Sequence, residues 1–164
     1  NYIAGLQIYT PKLMPIHAPN INSYRRLFAT WDAPKNTYWG LGNRSCGFRI
    51  PSNEEHSMRI ENRISGSDTN PYLVFAANLA AGYLGIKNKL KPTPEMKKSV
   101  FGKDKSMLPR NVEEAVSLFE NDEKINEVFN QKFIRTISAI RRAENQAYLK
   151  VISSWEREYL LLNV

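Results

Sequence analysis

Cysteine is almost absent from this 164-residue chain, where Cys46 stands alone. One cysteine excludes an internal disulfide and any multi-cysteine metal site, and it fits a reducing cytoplasm. Its simplest reading is an ordinary small strand residue. Long hydrophobic runs are missing too: residues 71–86 carry no charge, but these sixteen residues include Asn78, Gly82 and Gly85, and they fall short of the ~20 apolar residues of a membrane span. The opening NYIAGLQIYTPKLMP has neither the basic start nor the continuous apolar stretch of a secretory signal. It also lacks Met and opens like the interior of a helix, so a piece of a longer protein is expected. Zinc-ligand spacing, an aromatic RNA signature and a recognition-helix pattern are all absent, which argues against a nucleic-acid module. Neither internal repeats nor low-complexity segments occur.

What is present is enough for one domain, residues 1–164, with a real core, because a chain of this length buries roughly 70% of its unfolded surface. The net charge of +7 is uneven. Residues 1–110 hold 16 Lys or Arg against 7 Asp or Glu, whereas 111–164 hold 7 against 9. Such a field attracts nucleotide phosphates, nucleic acid or carboxylates alike, or is balanced by acids in a missing segment.

Residues 2–16 have a helical pattern interrupted at Pro11 and Pro15, and HAPNINSYRRL reads as a turn into a short basic segment. The stretches TYWGL (37–41), SCGFRIP (45–51) and MRIENRI (58–64) are rich in aromatic and branched residues between turn formers, which predicts an antiparallel sheet edge. Asn70 can cap a helix whose first turn accepts Pro71, and the uncharged run after it predicts a buried helix. Residues 87–110 form a polar connection, and NVEEAVSLFEND predicts a short helix with acids in its first turn. From about Lys132 to Leu161, the positions Phe133, Ile137, Ile140, Tyr148, Val151, Trp155 and Tyr159 follow a 3.6-residue period that predicts one long helix with a core-facing stripe. The expected class is α+β, with a strand region at about 22–66 and a helical region at 70–164.

The stretch RIENR (59–63) carries the chemistry. In an extended strand Arg59, Glu61 and Arg63 share one face, with the two Arg Cα atoms roughly 13 Å apart. The plain alternative is a solvated edge with ion pairs. Arg26, Arg44 and Arg49 enlarge the set, and guanidinium groups suit carboxylate and phosphate because they stay charged and offer a planar fork of donors. A lone acid among them, Glu61, suits a hard cation such as Mg2+. Arginines, a carboxylate and a metal together point to phosphoryl transfer. Arg44 and Arg49 are five apart, so a bulge or bend is expected if both line the site. His17 and His56 are expected in solvated or capping roles, and Asp68 at the start of the uncharged helix.

In order and spacing, NSYRRL (22–27), NRSCGFRIP (43–51), RIENR (59–63) and NPYLVFAANLAAGYLGI (70–86) resemble the C-terminal catalytic region of the glutamine synthetase family. The similarity continues more loosely to the end of the chain. It implies part of a barrel-like catalytic domain, in an enzyme that phosphorylates the side-chain carboxylate of glutamate with ATP and lets ammonia or another amine attack the acyl phosphate. By this resemblance Arg26, Arg44 and Arg63 bind glutamate, Arg44, Arg49 and Arg59 serve ATP, Glu61 ligates Mg2+ or Mn2+, and Arg44 and Asp32 are catalytic. It further implies a cytoplasmic, ring-shaped homo-oligomer with neither nucleic acid nor membrane as partner. The other metal ligands and a small N-terminal domain are expected upstream, so the 164 residues alone are expected to be inactive.

Three departures stand out. Asp32 in FATWDAP replaces the Glu of ordinary glutamine synthetases, which bears on ammonia handling. His56 stands approximately where the bacterial type has an ATP-contacting lysine. Phe101 occupies about the position of a regulatory Tyr, so adenylylation is expected to be absent. RIENRISGSDTNPYL and YLKVISSWEREYLLLN resemble the branch that joins glutamate to polyamines or other primary amines, which stands beside ammonia as an alternative. A noncatalytic relative that keeps the fold is a third reading, against which the full set of arginines argues.

Overall fold

The structure, a computed structural model, describes all residues except 30, 31, 53, 103–107 and 164. Helix α1 (Tyr2–Tyr9) leads through a 3-10 turn (Thr10–Leu13) into the short α2 (Met14–His17). Pro11 and Pro15 each sit at the start of their element, where the missing N–H costs nothing. The expected interruption is therefore a change of helix type rather than an exit from helix. Residues 21–29 then form α3 (Ile21–Ala29), a full helix where only a basic segment was anticipated. Asn20 starts it, its side-chain oxygen accepting from the amides of Asn22 and Ser23.

Three short strands follow: β1 (Trp39–Leu41), β2 (Phe48–Ile50) and β3 (Glu61–Asn62). The class is α+β as expected, but the pairing corrects the antiparallel reading: β1 runs parallel to β2, and only β2–β3 is antiparallel. Parallel neighbours ordinarily need a crossover of a dozen or more residues. Here the strands are three residues long, so residues 42–47 suffice to bring the chain back. Gly42 turns at a φ of +64°, a region open to glycine, and Asn43 braces the return by accepting from the Ser45 amide and hydroxyl. The Lys- and Pro-rich connection covers the outer edge of β1, with the Met96 amide donating to the Trp39 carbonyl and the Trp39 indole donating to Thr93. β3 ends after two residues because the Asn62 side chain takes the amides of Ile64 and Ser65.

Helix α4 (Pro71–Lys87) begins as anticipated, Asn70 accepting from the amides of Tyr72 and Leu73. It is not the buried helix expected. One side, with Ala77, Ala81, Leu84 and Gly85, packs on α1. The helices approach so closely that a Cβ on Gly5 would lie 2.0 Å from the Ala81 carbonyl oxygen. The other side leaves Tyr72 82% exposed and Phe75 66% exposed, with Leu79, Tyr83 and Ile86 also exposed.

Helix α5 (Val112–Asn121) is capped by Asn111 and carries Glu113 and Glu114 in its first turn. After the short α6 (Glu123–Val128), α7 (Gln131–Leu149) packs against α5. The single terminal helix expected to reach Leu161 is broken: α7 stops at Leu149, and α8 (Ser154–Tyr159) starts anew at a capping box of Ser153 and Glu156. Two orphan donors are satisfied by that box, so a fresh start is favoured there. The stripe is core-facing only in its first turns. Ile134 and Ile137 are buried, whereas Ile140, Tyr148, Val151, Trp155 and Tyr159 are exposed. The core lies between α1–α3, the sheet and α4–α7, around Leu13, Leu27, Phe48, Ile64, Phe119 and Ile134.

Candidate anion site

Cross-strand register places Arg49 of β2 opposite Glu61 of β3. The Arg49 Nη1 donates to Glu61 Oε2 at 2.9 Å. The other Glu61 oxygen makes no hydrogen bond among the described residues, and Arg49 Nε is buried without one.

A second group forms where α3 meets the chain leaving β3. The Arg26 Nη2 donates to the carbonyl of Ile64, and Arg63, whose amide donates to the Gly47 carbonyl at 2.9 Å, lies near enough to oppose its charge. Burial pulls the Arg26 guanidinium below its ordinary value, Asp68 and then Asp32 push it back up, and Arg63 lowers it. Positive charge in a partly dry place is costly unless it is paired, and here Asp68 and Asp32 already offset part of it. Arg63 Nη1 is buried with no hydrogen-bond partner among the described residues.

The remaining expected residues stand apart. Arg44 is exposed in the turn before β2, outside the strand, so the bulge invoked to align it with Arg49 is not needed. Arg59 is exposed and donates to the Ser57 carbonyl at 3.1 Å. The expected alternation fails at this end, because Arg59 and its neighbour Ile60 both line a cavity of about 690 Å³ beside Phe75 and Asn78, which Glu61 and Arg63 do not line. The reason is that regular strand geometry begins only at Glu61. Asp32 is exposed, while residues 30 and 31 of its FATWDAP motif, like the end of KSVFGKD, lie outside the described residues.

Among the described residues no group of three or more His, Cys, Asp or Glu side chains could hold a metal ion.

Two expectations about neighbouring residues change. His17 is not solvated: it is wholly buried, its Nδ1 2.7 Å from Ser65 Oγ, and burial holds its pKa down at about 4. Asp68 does not start α4; it accepts from Ser23 Oγ at 2.6 Å and Asn20 Nδ2 at 3.0 Å, both at the head of α3. His56 is exposed in a single 3-10 turn, as anticipated. Ser65 attracted no attention in the sequence, and nothing local signals that it would meet a histidine 48 positions away.

These features place Arg26, Arg49 and Arg63 around the short sheet of an α+β scaffold, as a candidate anion site. The match to known proteins is specific: the model of the glutamine synthetase catalytic domain covers residues 1–160, and the chain belongs to that family. It is 33% identical to a glutamate–isopropylamine ligase of Pseudomonas sp. over 95% of this chain and 35% of that protein. It is 34% identical to type-1 glutamine synthetase 2 of Dictyostelium discoideum over 98% of this chain and 32% of that one. A solved structure described as apo GmaS without ligand superposes with a TM-score of 0.84 at 29% identity, over 98% of this chain and 37% of that one. The chain spans about a third of the length of the curated relatives it matches. No helix among the described residues is long and apolar enough to cross a membrane.

Proposed function

We propose that residues 1–164 form the C-terminal part of the catalytic domain of an ATP-dependent ligase that joins glutamate to ammonia or a primary amine. The observation that carries this reading is that Arg26 and Arg63 lie close enough to oppose each other's charge while a buried Arg63 donor, Nη1, is left unused among the described residues. In this reading Arg26 and Arg63 take glutamate, Arg49 and Arg59 take ATP, and the exposed Arg44 reaches both glutamate and the transferring phosphate. The side-chain carboxylate attacks the terminal phosphorus, ADP leaves, and the amine nitrogen then displaces phosphate from the acyl phosphate while losing a proton. Preplaced cations serve both steps, since negative charge spreads over oxygens in each.

Glu61 would be one ligand of a divalent ion, which would neutralise phosphate charge when bound. Arg49 then trades part of its bond to Glu61 for nucleotide phosphate. Asp32, one methylene shorter than Glu, sits on the amine side, and its negative charge suits an ammonium or alkylammonium group. Relatives that join glutamate to an amine stand alongside glutamine synthetases among the matches, which supports both acceptors. The exposed apolar faces of α4 and α8 favour a chain that associates with further protein, in a larger barrel-like domain and an oligomeric ring of cytoplasmic subunits, because patches of this size are rare on isolated monomers. With further metal ligands needed beside Glu61, the purified 164 residues alone are expected to be inactive.

The test is phosphate release from ATP by the whole protein with glutamate, comparing ammonia, putrescine and ethylamine. Release with an organic amine and not ammonia places the enzyme with the γ-glutamylamine synthetases. Release with ammonia alone makes it a glutamine synthetase despite Asp32, and no release with any acceptor favours the noncatalytic relative.

A further inference from the structure

We infer that Ile64–Asp68 is a strap that positions Arg26, with His17 and Asp68 as the positioning residues that clamp it; the inference rests on the ligase reading above. The strap bonds Arg26 at one end and faces it with an opposite charge at the other. Its first residue offers the Ile64 carbonyl to Arg26 Nη2. At its far end Asp68 lies across Gly66 from the guanidinium: a Cβ built on Gly66 would stand 2.2 Å from Asp68 Oδ1 and 3.4 Å from Arg26 Nε. Gly66 is thus the gap through which the carboxylate and the guanidinium approach one another, and a side chain there would part them.

Three anchors fix the strap. On the α4 side, Asn62 accepts from the Ile64 amide at 3.0 Å and donates to Asn78 Oδ1 at 2.9 Å. On the α2 side, His17 holds it twice, by its ring to Ser65 Oγ at 2.7 Å and by its carbonyl to the Gly66 amide at 3.4 Å. On the α3 side, Asp68 Oδ2 takes Ser23 Oγ and Asn20 Nδ2, so the carboxylate that steadies Arg26 is bound to the same helix that carries it. Ser23 is one turn before Arg26, and the two therefore face the same way.

A structural role alone explains His17 poorly. An apolar side chain in this fully buried place would avoid desolvating an imidazole, yet the ring is there, its Nε2 without a hydrogen bond among the described residues. What the ring supplies and an apolar group cannot is a directional bond to the strap.

The test uses the whole protein, with steady-state kinetics varying glutamate at saturating ATP and ATP at saturating glutamate. Asp68→Asn is isosteric and Ser65→Ala removes one hydroxyl, so both should fold. Each is expected to raise the glutamate KM by up to about a hundredfold, the scale of a 1 Å misplacement of a substrate-positioning group, with the ATP KM unchanged within about twofold. Ser65→Thr, which keeps the hydroxyl, should restore the glutamate KM. Unchanged glutamate KM in both variants, or equal rises in the two KM values, overturns the strap while leaving the ligase reading intact. An unvaried protein that releases no phosphate with any amine takes down the ligase reading itself.

Discussion

Replacing Glu61 by Gln separates a metal-binding carboxylate from a surface ion-pair partner. The pair to Arg49 is well formed at 2.9 Å, but the side chains are 22% and 43% exposed. Solvent screens a pair in such a position, leaving it worth about 0.2–1 kcal/mol. Gln retains an acceptor for Arg49 Nη1, so the loss stays below about 1 kcal/mol, and the melting temperature moves by no more than a few degrees. Phosphate release is affected far more. Loss of a metal-bound carboxylate exceeds the 10- to 100-fold penalty typical of an outer-shell change, so activity in the whole protein falls on the order of 100-fold or more, with a higher Mg2+ or Mn2+ requirement. The assay is phosphate release across a metal titration, beside thermal unfolding of the same preparations. Near-normal activity with an unchanged metal titration would show that Glu61 only pairs with Arg49 and would refute the assignment.

Two other predictions concern stability. Because burial lowers the His17 pKa from 6.5 to about 4, the unfolded chain binds its proton first, and stability contributed by the neutral ring is complete above pH 6.5 and declines as pH falls toward 4. The full difference is about 3 kcal/mol, measurable as a steeper acid loss of unfolding free energy in the unvaried protein than in His17→Leu. Gly5→Ala forces a methyl to within 2.0 Å of the Ala81 carbonyl oxygen, parting α1 from α4; a destabilisation of at least about 2 kcal/mol is expected, and an unshifted unfolding curve would contradict the close packing described.

What was legible in the sequence was local chemistry and ordered motifs. Asn70 and Pro71 announce the start of α4 because capping depends on a few adjacent residues, and the acids of α5 do the same. The four arginine-bearing or apolar motifs led to the family that the match over residues 1–160 establishes. Pairing direction was not legible, since β1 and β2 run parallel through a turn made by one glycine and a side-chain brace. The outward face of α4 misled for a related reason: an uncharged run shows that a surface is apolar, not whether this chain covers it. Within the site, Arg49–Glu61 follows from strand register, whereas Arg26–Ile64 and His17–Ser65 join positions 38 and 48 apart, and no periodicity encodes such contacts. Arg59 strayed from its expected face because β3 is two residues long.

In the proposed reaction the whole protein transfers a phosphoryl group from ATP to the side-chain carboxylate of glutamate, and trapping with hydroxylamine tests it whichever amine is the natural acceptor. Hydroxylamine attacks an acyl phosphate and releases phosphate, leaving a hydroxamate that ferric ion colours. The expected product is a γ-glutamyl hydroxamate that requires glutamate, ATP and a divalent metal, and that is lost when Arg63 is replaced by Ala. A folded whole protein that makes none, or makes equal amounts with Arg63→Ala, would contradict it.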